Sequence, residues 1–459
     1  MKLIHAADIH LGRRRLDGRL PDTDFADAFR YIADQAVAAR ASALLLAGDL
    51  FDRPQVEPPH LRQAQQILAR LKASSIPVIA VAGNHDKAFL NSDEPTWLDY
   101  LADDELILLL ATRFDPEGPV LERWTPESRR GAWVELAGVR FIGAGYLGAA
   151  TPHKVRQIVD RLEPGRPQVL LLHAGPDYFV GESGGFSGDD LELIRQKVSY
   201  LALGHIHKPM LHEGWACNPG SPENCDLNES LHDRDKDGAP RSRGYAWVEI
   251  DLSSEKPTTR IEIRSNPRRP VFHLNLDCTP LSEGLNEGTA ALERAASGLI
   301  AENAVPTNAV VALRLAGKAN FGRLAFDLEA VARNIETAAN VTAVSLDLSA
   351  TELEGLSSTG DNVGTNFSRE EIERGAIRGL VEEERLRGLD EERETVANLF
   401  FALKEAVRTN KSVEELAELV NVSPLIETMR AAAAVTVETV TEPAHPDELA
   451  LPTQAGGPS

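Results

Sequence analysis

The sequence predicts an α/β protein with a largely parallel sheet in its N-terminal domain, a small second α/β domain and a helical C-terminal segment. Three observations carry this reading. Over the first ~265 residues, short apolar runs alternate with stretches of helical period. The apolar runs stop abruptly at polar clusters, as in "IPVIAVAGNHD" (76–86). A second, shorter series of strand and helix patterns follows the Pro/Arg-rich stretch "NPRRP" (266–270).

In chain order, the candidate strands are "KLIHAAD", "ASALLLAGD", "IPVIAVAGN", "GVRFIGAGY", "PQVLLLHAG" and "YLALGHIH", with helical segments at Phe25–Arg40 and His60–Ala73 between the first three. Strand–helix alternation implies βαβ units whose parallel sheet is buried on both faces. "GYAWVEIDL" and "TTRIEIRS" then follow one another without a helix, so the architecture is mixed. Residues 1–268 form the first expected domain. A βαβαβ block at 269–350 forms the second, with helices near 288–302 and 326–338. "GLSSTGDNVGTNFS" reads as a linker (351–367 in the division adopted). Capping boxes at Ser368–Glu371 and Ser412–Glu415 open helices in a segment spanning 368–440. The end, 441–459, has the composition of a disordered tail.

Composition narrows the function. The net charge is −22, and residues 351–459 hold 22 acidic and 10 basic residues. A broad basic face for autonomous nucleic-acid binding is therefore not expected. The longest apolar runs, such as "LILLLA" (106–111), are far too short to span a bilayer. Three cysteines with no CxxC pair fit a reducing compartment, so a soluble, cytoplasmic protein without membrane association is expected.

Five polar clusters end apolar strands: Asp8 and His10; Asp49 and Asp52; Asn84, His85 and Asp86; His173; His205 and His207. In open α/β sheets, that edge is where ligands bind. One strand-end histidine alone would read as a hydrogen-bonded structural residue. Five clusters in order point to a metal centre. The set is Asp, His and Asn without thiolate, which suits Mn, Fe or Zn. On a continuing strand, Asp8 and His10 would share a face, as would His205 and His207. Asp49 is the natural bridge, so the residues can serve two ions, as in two-metal phosphoryl transfer.

The ordered set D-x-H, GD-x-x-D, GNHD, H, GHIH is similar to the calcineurin-like metallophosphoesterases over residues 1–265. The resemblance implies a four-layer α-β-β-α fold. By that family's pattern, Asp8, His10, Asp49 and His207 would hold one ion, and Asp49, Asn84, His173 and His205 the other. A hydroxide between the ions would attack phosphorus. On the residues' own chemistry, His85, not needed as a ligand, is expected to face the leaving oxygen as a proton donor, and Asp86 either to fix its tautomer or to serve as a turn residue. "IHAADIHLG" (4–12), "AGDLFDRP" (47–54), "IAVAGNHD" (79–86), "YLALGHIHKP" (200–209) and "CNPGSPEN" (217–224) sharpen the likeness. They resemble the double-strand-break repair nuclease subunit, the SbcD type of bacteria and its meiotic-recombination counterparts. That family implies an exonuclease and endonuclease using two divalent ions, with manganese expected. It also implies a capping domain, helices that dock on an SMC-like ABC ATPase, and a homodimer. Asp52 departs from the family, whose archaeal and eukaryotic members place a histidine there, so no catalytic role is assigned to it.

Positive charge beside the ions is expected from Arg13, Arg14, Arg15 and Arg19, and from Arg53, Lys87 and Lys208, all able to hold DNA phosphates. The chain has no GxxxxGK[ST], so any ATP dependence comes through a partner. An apolar stripe of Val396, Leu399, Phe400, Leu403 and Val407 is the expected docking surface for it. Two rival functions remain open at this point: a cyclic-nucleotide or other small-phosphodiester hydrolase of the same superfamily, and a non-catalytic ATPase-binding scaffold.

Overall fold

The computed structural model describes residues 1–87, 95–180, 184–234, 241–254, 257–281, 289–319 and 327–353, together with Leu399, Ala402 and Leu403. The chain divides into two compact units, Met1–Ser357 and Ser358–Ser459. Within the first unit lie two six-stranded sheets, with strands numbered along the chain. The first sheet comprises β1 (Lys2–Ala6), β2 (Ala43–Ala47), β3 (Val78–Val81), β4 (Leu108–Leu109), β13 (Gly244–Asp251) and β14 (Thr258–Ser265), in the order β14-β13-β1-β2-β3-β4. The second comprises β7 (Trp133–Leu136), β8 (Val139–Ala144), β9 (Gln168–Leu172), β10 (Tyr200–Leu203), β11 (Met210–His212) and β12 (Ala216–Asn218), in the order β11-β12-β10-β9-β8-β7. Helices α1 (Thr23–Ala39), α2 (Pro58–Ala73) and α3 (Trp97–Asp103) accompany the first sheet; α4 (Thr151–Asp160), the short α5 (Asp177–Val180) and α6 (Gly188–Arg195) accompany the second. A two-stranded ribbon, β5 (Arg113–Asp115) and β6 (Gly118–Val120), connects them along the chain.

The layering follows from side-chain alternation. In β2, Leu44 and Leu46 join the helix-side core with Phe25 and Phe29, whereas Ala43, Leu45 and Ala47 face the second sheet. In β9, Val169 and Leu171 meet them in that inter-sheet core, and Leu170 and Leu172 turn to the α4/α6 side. Because side chains alternate along a strand, a strand covered on both faces must be apolar throughout. Three stacked cores separate four layers, α-β-β-α. The mixed character resides in β13, which pairs antiparallel with β1, while β1, β2, β3 and β4 are mutually parallel.

Residues 271–353 form a separate parallel sheet, β15 (Val271–Asp277), β16 (Val310–Ala319) and β17 (Ala343–Leu353), with α7 (Ala290–Glu302) and α8 (Leu328–Ala339). β17 runs three residues into the stretch read as linker. This subdomain is tied to the first by charge: the Arg269 guanidinium grips both oxygens of Asp24 at 3.0 and 2.8 Å, and Arg19 meets Glu336 and the Val344 carbonyl. Arg19 is thereby engaged in an interdomain contact instead of facing DNA. The rest of the linker, the two capping boxes and the tail lie outside the described residues.

Candidate metal centre

The parallel strands of both sheets end at one place. Past Ala6 and Ala47 the two chains stay side by side, with Asp8 N–H donating to the Gly48 carbonyl (3.1 Å) and His10 N–H to the Asp49 carbonyl (3.0 Å). These segments do not continue as strands, contrary to the sequence expectation. Asp8, His10 and Asp49 have φ of 55°, 52° and 54°, and His205 has 84°. Left-handed backbone at a non-glycine residue costs on the order of 1–3 kcal/mol and persists only where its surroundings hold it. The convergence inferred from strand alternation is thus achieved by left-handed turns. All four residues belong to the expected ligand set.

Two groups of side chains result. In the first, His10 Nε2 lies 3.1 Å from His207 Nε2 and 3.7 Å from Asp49 Oδ2; ligand atoms of Asp8, His10 and Asp49 all lie within 4.8 Å of one another. In the second, Asn84 Oδ1 lies 3.0 Å from both His173 Nε2 and His205 Nδ1, and His173 Nε2 is 3.3 Å from Asp49 Oδ2. The same Asp49 oxygen therefore faces both groups. Two imidazole nitrogens pointed at one another at 3.1 Å must share a proton or a cation between them. Donors each roughly 2.1 Å from one ion sit about 3.0–3.4 Å apart, so these spacings fit donors arranged around shared cations. The floor of the bowl is dry: Asp8, His10 and His173 are 0% exposed and Asp49 2%. The N/O donor set and its spacings accommodate two divalent ions.

Electrostatics bear the mark of that crowding. Burial pushes the Asp8 carboxyl above its usual range, against the opposing pull of nearby histidines. Burial works the same way on Asp49, but His173, His10 and His85 more than offset it and hold Asp49 well below the carboxylate range. For His173, burial disfavours charge, yet Asp49 and Asp8 raise it to about 9; His205, buried beside His173, falls to about 4. Burial likewise opposes charge on His207, but hydrogen bonds to Cys225 and Glu229 carry it up to about 11.

The neighbours of the two groups differ in part from expectation. His85 Nδ1 lies 2.8 Å from the Asp52 carbonyl, which makes Nδ1 the protonated nitrogen and leaves Nε2 to face elsewhere. Asp86 does not fix that ring, so of the two roles the sequence left open the tautomer role is not the one taken. Its carboxylate instead accepts the backbone N–H groups of Asp49 (2.9 Å), Gly83 (2.8 Å) and Phe51 (3.1 Å), fastening the loop that carries Asp49. Asp86 shapes the centre through the backbone. Burial, reinforced by Asp49, raises its carboxyl to about 6. Asp52 stands 3.5 Å from His10 Nδ1 and 3.0 Å from Arg13. Sequence reasoning missed Tyr146, whose ring lies 5.1 Å from that of His205, and Glu229, which is 2.6 Å from His207 Nδ1.

The family model described as calcineurin-like phosphoesterase matches residues 1–209. Over those residues the chain is similar to that family. Relatives named "DNA double-strand break repair protein Mre11" extend the likeness. The Archaeoglobus fulgidus protein is 32% identical over 236 residues, or 50% of this chain and 52% of that protein. The Aeropyrum pernix protein is 26% identical, covering 60% of this chain and 63% of its own length. The chain thus spans about half to two thirds of these relatives. Among solved structures, a dimetal phosphatase from Danio rerio aligns over 58% of this chain and 99% of its own, at 13% identity and a TM-score of 0.33.

Around the two ligand groups, the expected phosphate-binding cations separate into two kinds. Arg15 is buried, bound to Asp24 (2.6 Å), Glu223 (3.1 Å) and the Asn224 carbonyl (3.0 Å). Its charge is already matched by two carboxylates, so it is a structural residue and not a DNA contact. Arg13 is partly exposed and tied to Asp52, whereas Arg14, paired with Glu57, and Arg53 lie open at 60% and 73%. Lys87 and Lys208 are half-buried, and the Lys208 ammonium lies 5.8 Å from the Phe179 ring. Of the expected docking stripe, Leu399 and Leu403 are helical and half-buried; Val396, Phe400 and Val407 lie outside the described residues. Among the described residues, no helix is long and apolar enough to cross a membrane.

Proposed function

We propose that this protein is a dinuclear-metal-dependent DNA nuclease, with exonuclease and endonuclease activity, that serves double-strand-break repair beside an SMC-like ABC ATPase. The observation that carries it is the pair of ligand groups meeting at one oxygen of Asp49. The relatives' printed name supports repair as the setting.

Two divalent cations, with manganese the expected metal, would activate water and draw off charge from a phosphodiester. The chain's own part is positional. Asp8, His10, Asp49 and His207 would hold one ion, and Asp49, Asn84, His173 and His205 the other. Asp49 Oδ1 accepts the His85 backbone N–H at 2.9 Å, which sets the ring of His85 at the same centre. With Nδ1 anchored on the Asp52 carbonyl, the imidazolium form of His85 would have its Nε2–H left to protonate the leaving oxygen. Arg13, Arg14, Arg53, Lys87 and Lys208 would hold the backbone on either side, contributing affinity without sequence reading.

Purified protein with Mn²⁺ should degrade linear duplex DNA, and Asp49→Asn or His85→Ala should abolish the degradation. Cleavage of cyclic AMP without DNA cleavage would identify a small-phosphodiester hydrolase. Metal binding without any hydrolysis would point to a scaffold.

A further inference from the structure

His207 is held from behind by a carboxylate that none of the strand-end motifs announces. Its Nδ1 lies 2.6 Å from Glu229 Oε1, while its Nε2 points at His10 across 3.1 Å. The second Glu229 oxygen, Oε2, accepts Cys225 N–H (2.9 Å) and the Ser221 hydroxyl (3.2 Å), and lies 3.5 Å from an Arg243 Nη1. Arg243 is 0% exposed, and its other N–H groups reach Asp233 (2.9 Å), the Ser221 hydroxyl (2.7 Å) and Asn224. Glu229 itself is only 12% exposed. Burying two opposite charges costs several kcal/mol unless their geometry and hydrogen bonds compensate. Here nearly every polar atom of both groups is engaged, and the net result is a carboxylate oxygen aimed at His207, which also bonds the Cys225 side chain.

A carboxylate can only accept, so Nδ1 must carry a proton, and Nε2 is the nitrogen left to give its lone pair to a cation at the centre. His173 offers the contrast: its Nδ1 meets the neutral Ala47 carbonyl at 2.7 Å. We propose that Glu229, countered by Arg243, is the positioning residue that fixes the tautomer of His207 and raises its strength as a donor to the cation of the Asp8/His10 group. The inference rests on the two-cation reading above. It assigns the stronger back-support to one ion of the pair. Carboxylates behind a ligating histidine typically govern metal affinity by about 10–100-fold.

The test uses the full chain, Mn²⁺ titration calorimetry and Mn²⁺ electron paramagnetic resonance. Wild-type protein should take up two ions and show a spin-coupled pair. Glu229→Ala should weaken one of the two binding steps by about 10–100-fold, replacing the pair signal by that of isolated Mn²⁺ at concentrations that saturate the wild type. If Glu229→Ala fails to fold, Glu229→Gln, which keeps the shape and loses the charge, should still weaken that one step. Wild-type affinity at both steps in every folded variant overturns the inference while leaving the two-cation reading intact. A wild type with no paired-ion signal overturns both.

Discussion

Gly83 stands directly against Asp49: a β-carbon at position 83 would lie 1.9 Å from Asp49 Oδ1. Real side chains do not approach so closely, so the carboxylate occupies the space that any residue but glycine would need. Gly83→Ala should therefore displace Asp49 without removing a single ligand. The expected outcome is a folded protein with cleavage reduced at least ~100-fold, the scale on which roughly 1 Å misplacements act. A variant with wild-type turnover would show that Asp49 is less tightly placed than the geometry indicates.

Asp49→Asn should separate stability from chemistry. The substitution preserves size but leaves the buried His173 imidazolium without the carboxylate that stabilises it, so the metal-free protein should melt below the wild-type temperature. Adding Mn²⁺ should stabilise the wild type, by about 2.7 kcal/mol at a hundredfold excess over Kd, and leave the variant nearly unchanged. Thermal melts with and without Mn²⁺ read both effects at once.

Adjacent arginines should behave as opposites. Arg15→Ala leaves Asp24 and Glu223 short of a buried partner and should cost ~3–5 kcal/mol in urea unfolding. Arg14→Ala breaks an open pair and should cost under ~1 kcal/mol. In DNA binding the order reverses. Arg14→Glu with Arg53→Glu should weaken duplex binding at low salt and flatten the salt dependence by about 0.9 in slope for each phosphate no longer neutralised.

Docking on an ATPase is testable at the two described residues of the C-terminal stripe. Leu399→Asp with Leu403→Asp should abolish co-purification with the ATPase and leave DNA cleavage by the isolated protein unaltered. Retention of the partner would return the stripe to an ordinary core role.

Much of this centre was legible because parallel β-sheets make their ends conspicuous. An all-apolar run such as "ALLLA" has no reason to be followed by Gly48 and Asp49 unless the edge is used. What escaped reading depends on partners far away along the chain. Arg15 looks like any member of a basic loop until Glu223, 208 residues on, closes over it. Glu229 lies in a short 3₁₀ stretch with no periodic signal to announce it. Asp86 sits beside His85 in sequence yet serves the Asp49 backbone, because the loop turns the two side chains apart. The β5/β6 ribbon escaped because three residues per strand, one of them Pro119, leave no pattern to count.

The left-handed backbone at Asp8, His10, Asp49 and His205 has a consequence for how such a centre can be altered. Glycine would be the most comfortable tenant at each of the four addresses, and it is the one residue that brings no donor atom. Relief of torsional tension and loss of a proposed metal-binding group would arrive in one substitution, together with loss of the backbone hydrogen bonds that Asp8 and Asp49 accept from His205 and His85. The two sheets end at one rim, and four dihedral angles there set where the proposed ligands stand.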